Sequence, residues 1–297
     1  MELKIEKKCE LDQFYTNPII SDKLVGKISE LFPIEFKKAI FLEPSAGTGN
    51  FLWSLQKKGI NIENIKGYDL DPKNNLIEKA DYLKTNIEFN KKRIILGNPP
   101  FGKRAKLALE FLNKSLKESN IVCFILPNTF NRYSIQKNID ESAKLVFSEP
   151  LDLNSFIFNN KKYNVNCVFQ IWVKIPTKLS DKRIKKPPVI RHDDFETYIH
   201  NNTKETLKYF NKKEYKWNFA VHRQGYYDYS VRIHDEKELI KNRQYFFIKV
   251  KNKDALKIIK KIDFKKLSRT NTQILGFSTS DFVNEYINIK EKTYDTI

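Results

Sequence analysis

The tetrad Asn98-Pro99-Pro100-Phe101 puts an amide side chain, two prolines and an aromatic ring directly after the apolar run Ile94-Ile95-Leu96-Gly97. This set suits one task, holding a planar exocyclic amine while stacking the ring that carries it. The lone pair of such an amine is delocalised into its ring, so the amine is a poor nucleophile and chemistry on it needs a clamp. If the Asn98 side-chain oxygen and a backbone carbonyl at Pro99 each accept one N–H, the nitrogen is drawn toward a tetrahedral shape and its lone pair is freed for an in-line transfer. Positioning then supplies most of the rate. The prolines stiffen the clamp, and Phe101 is placed to stack on the ring. No Pro-Cys pair occurs in the chain, which excludes the thiolate route to a cytosine ring carbon.

A second group of residues suits a nucleoside-like cofactor. Glu43-Pro44-Ser45-Ala46-Gly47-Thr48-Gly49 reads as a turn between a strand and a helix, where glycines let the backbone approach a ligand. No Lys-Ser/Thr follows Gly47-Thr48-Gly49, so it is not a phosphate-binding P-loop. The acid Glu43 disfavours a phosphate and favours a cationic ligand or one with hydroxyls; a plain tight turn is the other reading. Asp69, in Gly67-Tyr68-Asp69-Leu70-Asp71-Pro72, ends an apolar run where an acid accepts hydrogen bonds from ribose hydroxyls. Asp81-Tyr82 fits an adenine ring, with a carboxylate for its amine and an aromatic flank for its face. Asp81 fits the opening of a turn equally well.

These residues need a scaffold that brings strand ends together. Asn17-Pro18 opens a predicted helix, followed by Ile20, Leu24, Ile28 and Leu31 at helical spacing. Ala39 to Leu42, Ile65 to Leu70, Arg93 to Gly97 and Ile121 to Leu126 read as short buried strands, with helices starting near Phe51 and Ala105 between them. Lys144 to Ser148 and Val165 to Val173 are expected as later strands. Alternating strands and helices predict an α/β protein with a parallel sheet, whose ligands sit beyond the carboxyl ends of the strands. A linker is expected near residues 176–188, where Pro176, Pro187 and Pro188 flank the basic stretch Lys182 to Lys186. This gives a catalytic domain of residues 1–177 and a basic region of residues 178–297, the latter with 27 basic and 16 acidic residues.

The chain of 297 residues carries 54 basic and 36 acidic residues, a net charge of +18, which points to nucleic acid ahead of an anionic membrane surface. Enrichment of Lys, Asn and Ile from an AT-rich genome accounts for part of this excess on the alternative reading. The charged stretch Met1 to Gln13 has no apolar core of a secretory signal, and Ile121 to Leu126 is far too short to span a bilayer. Cys9, Cys123 and Cys167 are odd in number and far apart, which fits a reducing cytoplasm and no zinc site. His192, His200, His222 and His234 lack metal-ligand spacing, so no metal is expected.

Taken together, the tetrad, loop and acids resemble the S-adenosylmethionine site of amino-methylating DNA methyltransferases. Asp12-Gln13-Phe14-Tyr15-Thr16-Asn17-Pro18 resembles their N-terminal cofactor motif, and it precedes the glycine loop while the tetrad follows it. That order resembles the gamma arrangement of adenine-N6 enzymes, and the matching motifs run from Asp12 to about Val173. The resemblance implies a Rossmann-like methyltransferase sheet with a smaller C-terminal α+β part. It implies S-adenosylmethionine held by Phe14, Tyr15, Thr16, Glu43, Ser45, Ala46, Gly47, Gly49, Asp69, Leu70, Asp81, Tyr82 and Asn98. It implies methyl transfer to the N6 amine of an adenine flipped out of double-stranded DNA. A second stacking ring is expected just before the strand Val165 to Val173, from Phe158 or else Tyr163, with ordinary core packing as the competing role. Lys103 and Arg104 follow the tetrad and suit a flanking phosphate, although a solvated helix start explains them as well.

The C-terminal region stands where gamma-type enzymes carry target recognition. Trp217 to Arg232 interleaves aromatics with basic residues, and Arg223 is the candidate DNA contact there. A small hairpin with one wet face fits the same stretch. The resemblance also implies a restriction–modification or phage setting with a possible cognate endonuclease; oligomeric state is not encoded in any motif. Ribosomal RNA adenine dimethylases share the length, charge and an N-terminal Gln-Phe, but they carry Asn-Leu/Ile-Pro-aromatic and a Gly-x-Gly-x-Gly loop. Protein-glutamine methyltransferases share the Asn-Pro-Pro-aromatic clamp but have a long helical domain before the glycine loop, where this chain has 42 residues before Glu43. An inactive nucleic-acid-binding module conflicts with the intact clamp and loop.

Overall fold

The computed structural model describes residues 15–152, 155–158, 161–163, 165–271 and 274–294. Two compact units divide the chain, Met1–Lys185 and Lys186–Ile297. Among the described residues, no helix is long and apolar enough to cross a membrane.

The first unit contains strands β1 (Tyr15–Thr16), β2 (Ile40–Glu43), β3 (Ile65–Asp69), β4 (Ile77–Lys79), β5 (Arg93–Gly97), β6 (Ile121–Pro127), β7 (Lys144–Pro150), β8 (Phe156–Phe158), β9 (Lys161–Tyr163) and β10 (Cys167–Val173). Its main helices are α1 (Pro18–Leu31), α2 (Pro33–Lys38), α3 (Asn50–Lys57) and α4 (Lys106–Glu118). Seven strands form one sheet in the order β4-β3-β2-β5-β6-β10-β7. β2 to β6 run parallel to one another, and β10 runs antiparallel to both β6 and β7. This is the α/β Rossmann-like sheet expected from the sequence, with β10 as its reversed strand. Every residue of β6 and β10 is buried, which is why β6 reads as an unbroken apolar run and β10 as one interrupted only by Gln170, rather than as alternating strands. Burying each such Ile, Leu, Val or Phe side chain contributes about 1.5–3 kcal/mol.

α1 begins where the sequence predicts. The Asn17 side chain accepts the Ile19 N–H at 3.0 Å, and Pro18 occupies the first turn. α1 packs on α3 through Ser54, whose hydroxyl meets Ser21 Oγ at 2.9 Å and donates to Asp22 Oδ1 at 2.6 Å. A small sheet, β1-β8-β9, was not foreseen: Tyr15 pairs with Ile157 and Thr16 with Phe156.

The expected linker is corrected in part. Arg183 donates to the carbonyls of Gln136, Ile139, Asp140 and Ala143 at 2.6–3.1 Å, and Ile184 N–H donates to Gln136 Oε1 at 2.7 Å. These bonds fasten the stretch through Arg183 and Ile184 to the first unit, so the units part after Lys185 rather than after Thr177.

The second unit is α+β. Its antiparallel sheet has the order β11 (Phe195–His200), β13 (Gln244–Val250), β12 (Phe219–Gln224). Alternation along β13 serves two cores. Phe246 and Ile248 pack with Ile258, Ile259 and Phe282 from the helices Lys253–Lys260 and Thr279–Tyr294. Tyr245 and Phe247 face Trp217, Tyr209 and Phe210 on the other side. Asp194 binds Lys290 at 2.7 Å and the Tyr286 hydroxyl, and the Lys290 bond above all holds its carboxyl down at about 2. Trp217 to Arg232 is not a self-contained hairpin: β12 pairs along its length with β13, and its isolated bridges run from Ala220 to Ile233 and from Gln224 to Gly276.

Candidate active site

Strand order reverses on either side of the β2–β5 pair, since the chain leaves β2 toward β3 and β4 and returns at β5 toward β6. Such a switch point opens a crevice beyond the carboxyl ends of the strands. Glu43 closes β2, Asp69 closes β3 and Asn98 follows β5, so residues far apart in sequence meet there. A cleft of about 250 Å³ lies at this point, lined on one side by Asn98, Pro99, Pro100 and Phe101 and on the other by Gly47, Asp69, Leu70, Asp81 and Tyr82.

The clamp is held from the glycine loop. Ser45 Oγ donates to the Asn98 carbonyl at 3.1 Å. Gly97 has φ +146°, and a Cβ there would lie 3.0 Å from Glu43 Cγ. Glycine at that position therefore lets Glu43 lie against the base of the clamp. Phe101 is 6% exposed and forms part of both the cleft wall and the hydrophobic core.

Glu43 is buried, and its Oε2 has no hydrogen-bond partner among the described residues. Burial, and then the negative charge of Asp69, push its pKa well above the ordinary carboxyl value. An unmatched buried carboxyl suits a cationic guest. A smaller recess of about 30 Å³ adjoins it, lined by Tyr15, Thr16, Ser45, Ala46 and Asn98. The Thr16 carbonyl accepts from Asn50 Nδ2 at 2.7 Å, which ties the N-terminal motif to the start of α3. Gly49 precedes α3 as its N-cap, and its N–H donates to the Ala46 carbonyl at 2.7 Å.

Asp69 is partly committed. Its Oδ2 accepts the Gly47 N–H at 2.7 Å and its Oδ1 the Asp71 N–H at 2.8 Å. Each oxygen has a second lone pair for a hydroxyl donor. Leu70 is 53% exposed at the cleft edge, an apolar surface unusual for a leucine beside two acids. Asp81 opens a turn, one of the two readings weighed for it. It caps the following turn through Leu83 N–H at 3.2 Å, pairs with Lys84 at 3.2 Å, and lines the cleft. Tyr82 presents its ring to the cleft while its hydroxyl donates to Glu118 Oε2 at 2.6 Å and meets Ser115 Oγ at 3.0 Å. Burial, and then Glu118, raise its pKa, so it stays a neutral donor. Lys114 pairs with Glu118 at 2.6 Å and completes this buried support.

Phe111 and Leu107 on α4 also line the cleft, with the Phe111 ring 5.3 Å from Tyr82. In sequence Phe111 is one more apolar residue of the helix expected from Ala105, with nothing to mark it as a site residue. Ala80 and Leu83 also line the cleft and likewise carry no mark in the sequence. Lys103 and Arg104 are exposed in the turn after the tetrad, Arg104 in the left-handed region at φ +56°. Phe158 and Tyr163 sit at the ends of β8 and β9, on the hairpin whose first strand pairs with the N-terminal motif. Phe14 lies outside the described residues. Arg223 belongs to the second unit, on β12.

No family model matches the chain. It is 29% identical over 182 residues to the modification methylase CviBIII of Paramecium bursaria Chlorella virus NC1A, covering 51% of this chain and 45% of that protein. It is 30% identical over 108 residues to the type II methyltransferase M.VspI of Vibrio sp. (strain 343), covering 31% of this chain and 26% of that protein. The chain thus spans less than half the length of the curated relatives it matches. Among solved structures, a protein of Listeria monocytogenes provisionally assigned to the class I S-adenosylmethionine-dependent methyltransferases aligns with a TM-score of 0.45 at 14% identity, covering 62% of this chain and 67% of that one.

Proposed function

We propose that this chain transfers a methyl group from S-adenosylmethionine to the N6 amine of adenine in double-stranded DNA. One observation carries the reading: the Asn98-Pro99-Pro100-Phe101 tetrad, the glycine loop, Asp69 and Asp81 line a single cleft at the sheet's switch point, with Glu43 in the adjoining recess. The names of the two curated relatives, a modification methylase and a type II methyltransferase, support DNA as the carrier.

When bound, the cofactor supplies an electrophilic methyl group on a cationic sulfonium. Glu43, buried beside the glycine loop, offers a carboxyl that ionises when a cationic ligand arrives, and Asp69 offers acceptors to sugar hydroxyls. Tyr15 and Thr16 close the loop side, with Ser45, Ala46, Gly47 and Gly49 forming the loop itself. Leu70 and Tyr82 flank the adenine of the cofactor and Asp81 accepts from its amine.

Asn98 and Pro99 do the work on the substrate. The Asn98 side-chain oxygen and the Pro99 carbonyl each accept one N–H of the target amine, which turns its lone pair toward the transferred methyl. Ser45 holds the Asn98 peptide in place for this. Phe101 stacks on the flipped base, and Phe158 or Tyr163 supplies the opposite face. Lys103 and Arg104 grip the flanking phosphates, and the second unit carries target recognition.

The test is a transfer assay with tritiated S-adenosylmethionine on duplex DNA and, separately, on ribosomal RNA. Label is expected at N6 of adenine in the DNA, falling about 100-fold or more in Asn98→Ala. Label confined to RNA, or transfer that survives Asn98→Ala, refutes the proposal.

A further inference from the structure

In the second unit, β11 and β12 end where β13 begins, and this rim of the sheet gathers Asn201, Arg223, Gln224, Arg243 and Gln244. Arg223 Nη1 donates to Asn201 Oδ1 and, at 3.4 Å, to Gln244 Oε1. Its Nε is buried with no partner among the described residues. The two amides thus fix one limb of the guanidinium and leave donors without a partner among the described residues. A guanidinium that served packing alone would have its buried donors satisfied.

A stack of side chains stiffens the rim. His222 lies between Tyr245, with ring centroids 5.2 Å apart at 29°, and Tyr227, 4.3 Å apart at 23°. The Arg243 guanidinium covers the Tyr227 ring at 5.0 Å. The turn between β12 and Tyr227 depends on glycine: Gly225 has φ +127°, and a Cβ there would fall 2.3 Å from the Tyr227 ring. Its carbonyl accepts from Tyr229 Oη at 2.9 Å and its N–H donates to the Leu275 carbonyl at 2.9 Å. This fixed turn holds Tyr226 outward, 73% exposed. The one acid in the turn, Asp228, is engaged by the N–H and hydroxyl of Ser230.

Arginine pairs through two donors with O6 and N7 of guanine in the major groove, and it does so best when its plane is set in advance. The rim offers such an arginine, a second cation and a rigid exposed aromatic ring, on a strongly basic segment of the chain. We propose that Arg223, positioned by Asn201 and Gln244, reads a guanine in the DNA recognition sequence, with Tyr226 packing on the adjoining nucleotide. This rests on the reading of the chain as a DNA methyltransferase.

The experiment uses the full chain, S-adenosylmethionine and a duplex library randomised around a central adenine, with methylated products sequenced. Wild-type protein is expected to require guanine at one position. Arg223→Gln lowers discrimination at that position about 10- to 100-fold and leaves the other positions unchanged. Arg223→Lys, which keeps the charge without the fork, loses the same discrimination. Asn201→Ala loses part of it and Asn201→Asp, which keeps an acceptor, retains it. Asn201 is exposed, so these two variants carry the test if Arg223→Gln fails to fold. Cofactor affinity by calorimetry stays as in wild type. Unchanged site preference in every variant overturns the inference. So does a uniform loss across all sequences with the salt slope reduced by about one, the mark of a phosphate contact. Wild-type protein that labels no DNA refutes the proposed activity itself, whereas DNA labelling with a preference indifferent to Arg223 refutes only this inference.

Discussion

Glu43→Gln is expected to stabilise the ligand-free protein at neutral pH while weakening its hold on the cofactor. Burial and the charge of Asp69 raise the native pKa of Glu43 well above the value of 4.5 expected for an exposed glutamate. A raised native pKa contributes stability that is fully present below the unfolded value and lost as pH rises toward the native one. Over that window the unfolded chain gives up a proton that the native chain keeps, which costs about 1.4 kcal/mol per pH unit. Glutamine matches the protonated acid in size, cannot ionise and removes this loss. For a protein of this size about 1 kcal/mol moves Tm by 2–4 °C. The Tm advantage of Glu43→Gln should therefore grow by about 3–5 °C per pH unit above pH 5, then level off once the native carboxyl ionises. Scanning calorimetry between pH 5 and 8 reads this directly. The same variant removes the one carboxyl there that can give up its proton and ionise against a cationic ligand, a loss of about 2 kcal/mol or more, so Kd by titration calorimetry should rise about 30-fold or more. A Tm difference independent of pH would refute the account of Glu43 as a buried, proton-holding acid. An unchanged Kd would refute its role toward the cofactor.

Two further substitutions test what holds each unit together. Arg183→Ala removes four hydrogen bonds, leaving the Gln136 and Asp140 carbonyls only their backbone donors, and should cost about 3 kcal/mol by urea unfolding; a loss under 1 kcal/mol would mean that water replaces these bonds freely. Asp194→Asn should cost about 2 kcal/mol at pH 7. Because the bonds to Lys290 and Tyr286 hold the native pKa at about 2, that stability is present above the ordinary carboxyl value and lost as pH falls through about 2, so the gap between variant and wild type should close there; a gap that persists at pH 2 would assign the effect to packing.

Much of the site was legible because it is built locally. β2 and β5 are short apolar runs that stop at residues able to do chemistry, Glu43 and Asn98, and the parallel sheet puts both stops on one edge. Asn17-Pro18 announces α1 by capping chemistry alone. What stayed hidden depends on partners distant in sequence or on patterns that serve two purposes. β4 has a single buried residue, Ile77, before exposed Glu78 and Lys79, too little for any periodicity. β1 and β8 are two and three residues long and pair across most of the first unit. Phe111 lies on the same apolar stripe of α4 as Ala108 and Leu112, so spacing cannot separate a cleft wall from the core behind it. Arg183 sits in a basic, proline-flanked stretch that looks solvated, and only the fold reveals four carbonyls converging on it.

The same geometry explains why the tetrad is weak information alone and strong information with the glycine loop. Asn-Pro-Pro-aromatic fixes only how an amine is held. Here the clamp has no independent footing: Ser45 holds the Asn98 carbonyl across 53 residues of sequence, and Glu43 fills the space that Gly97 leaves open. The two motifs therefore meet through one hydrogen bond and one close approach at the switch point, and Glu43 lies against the residue that precedes Asn98.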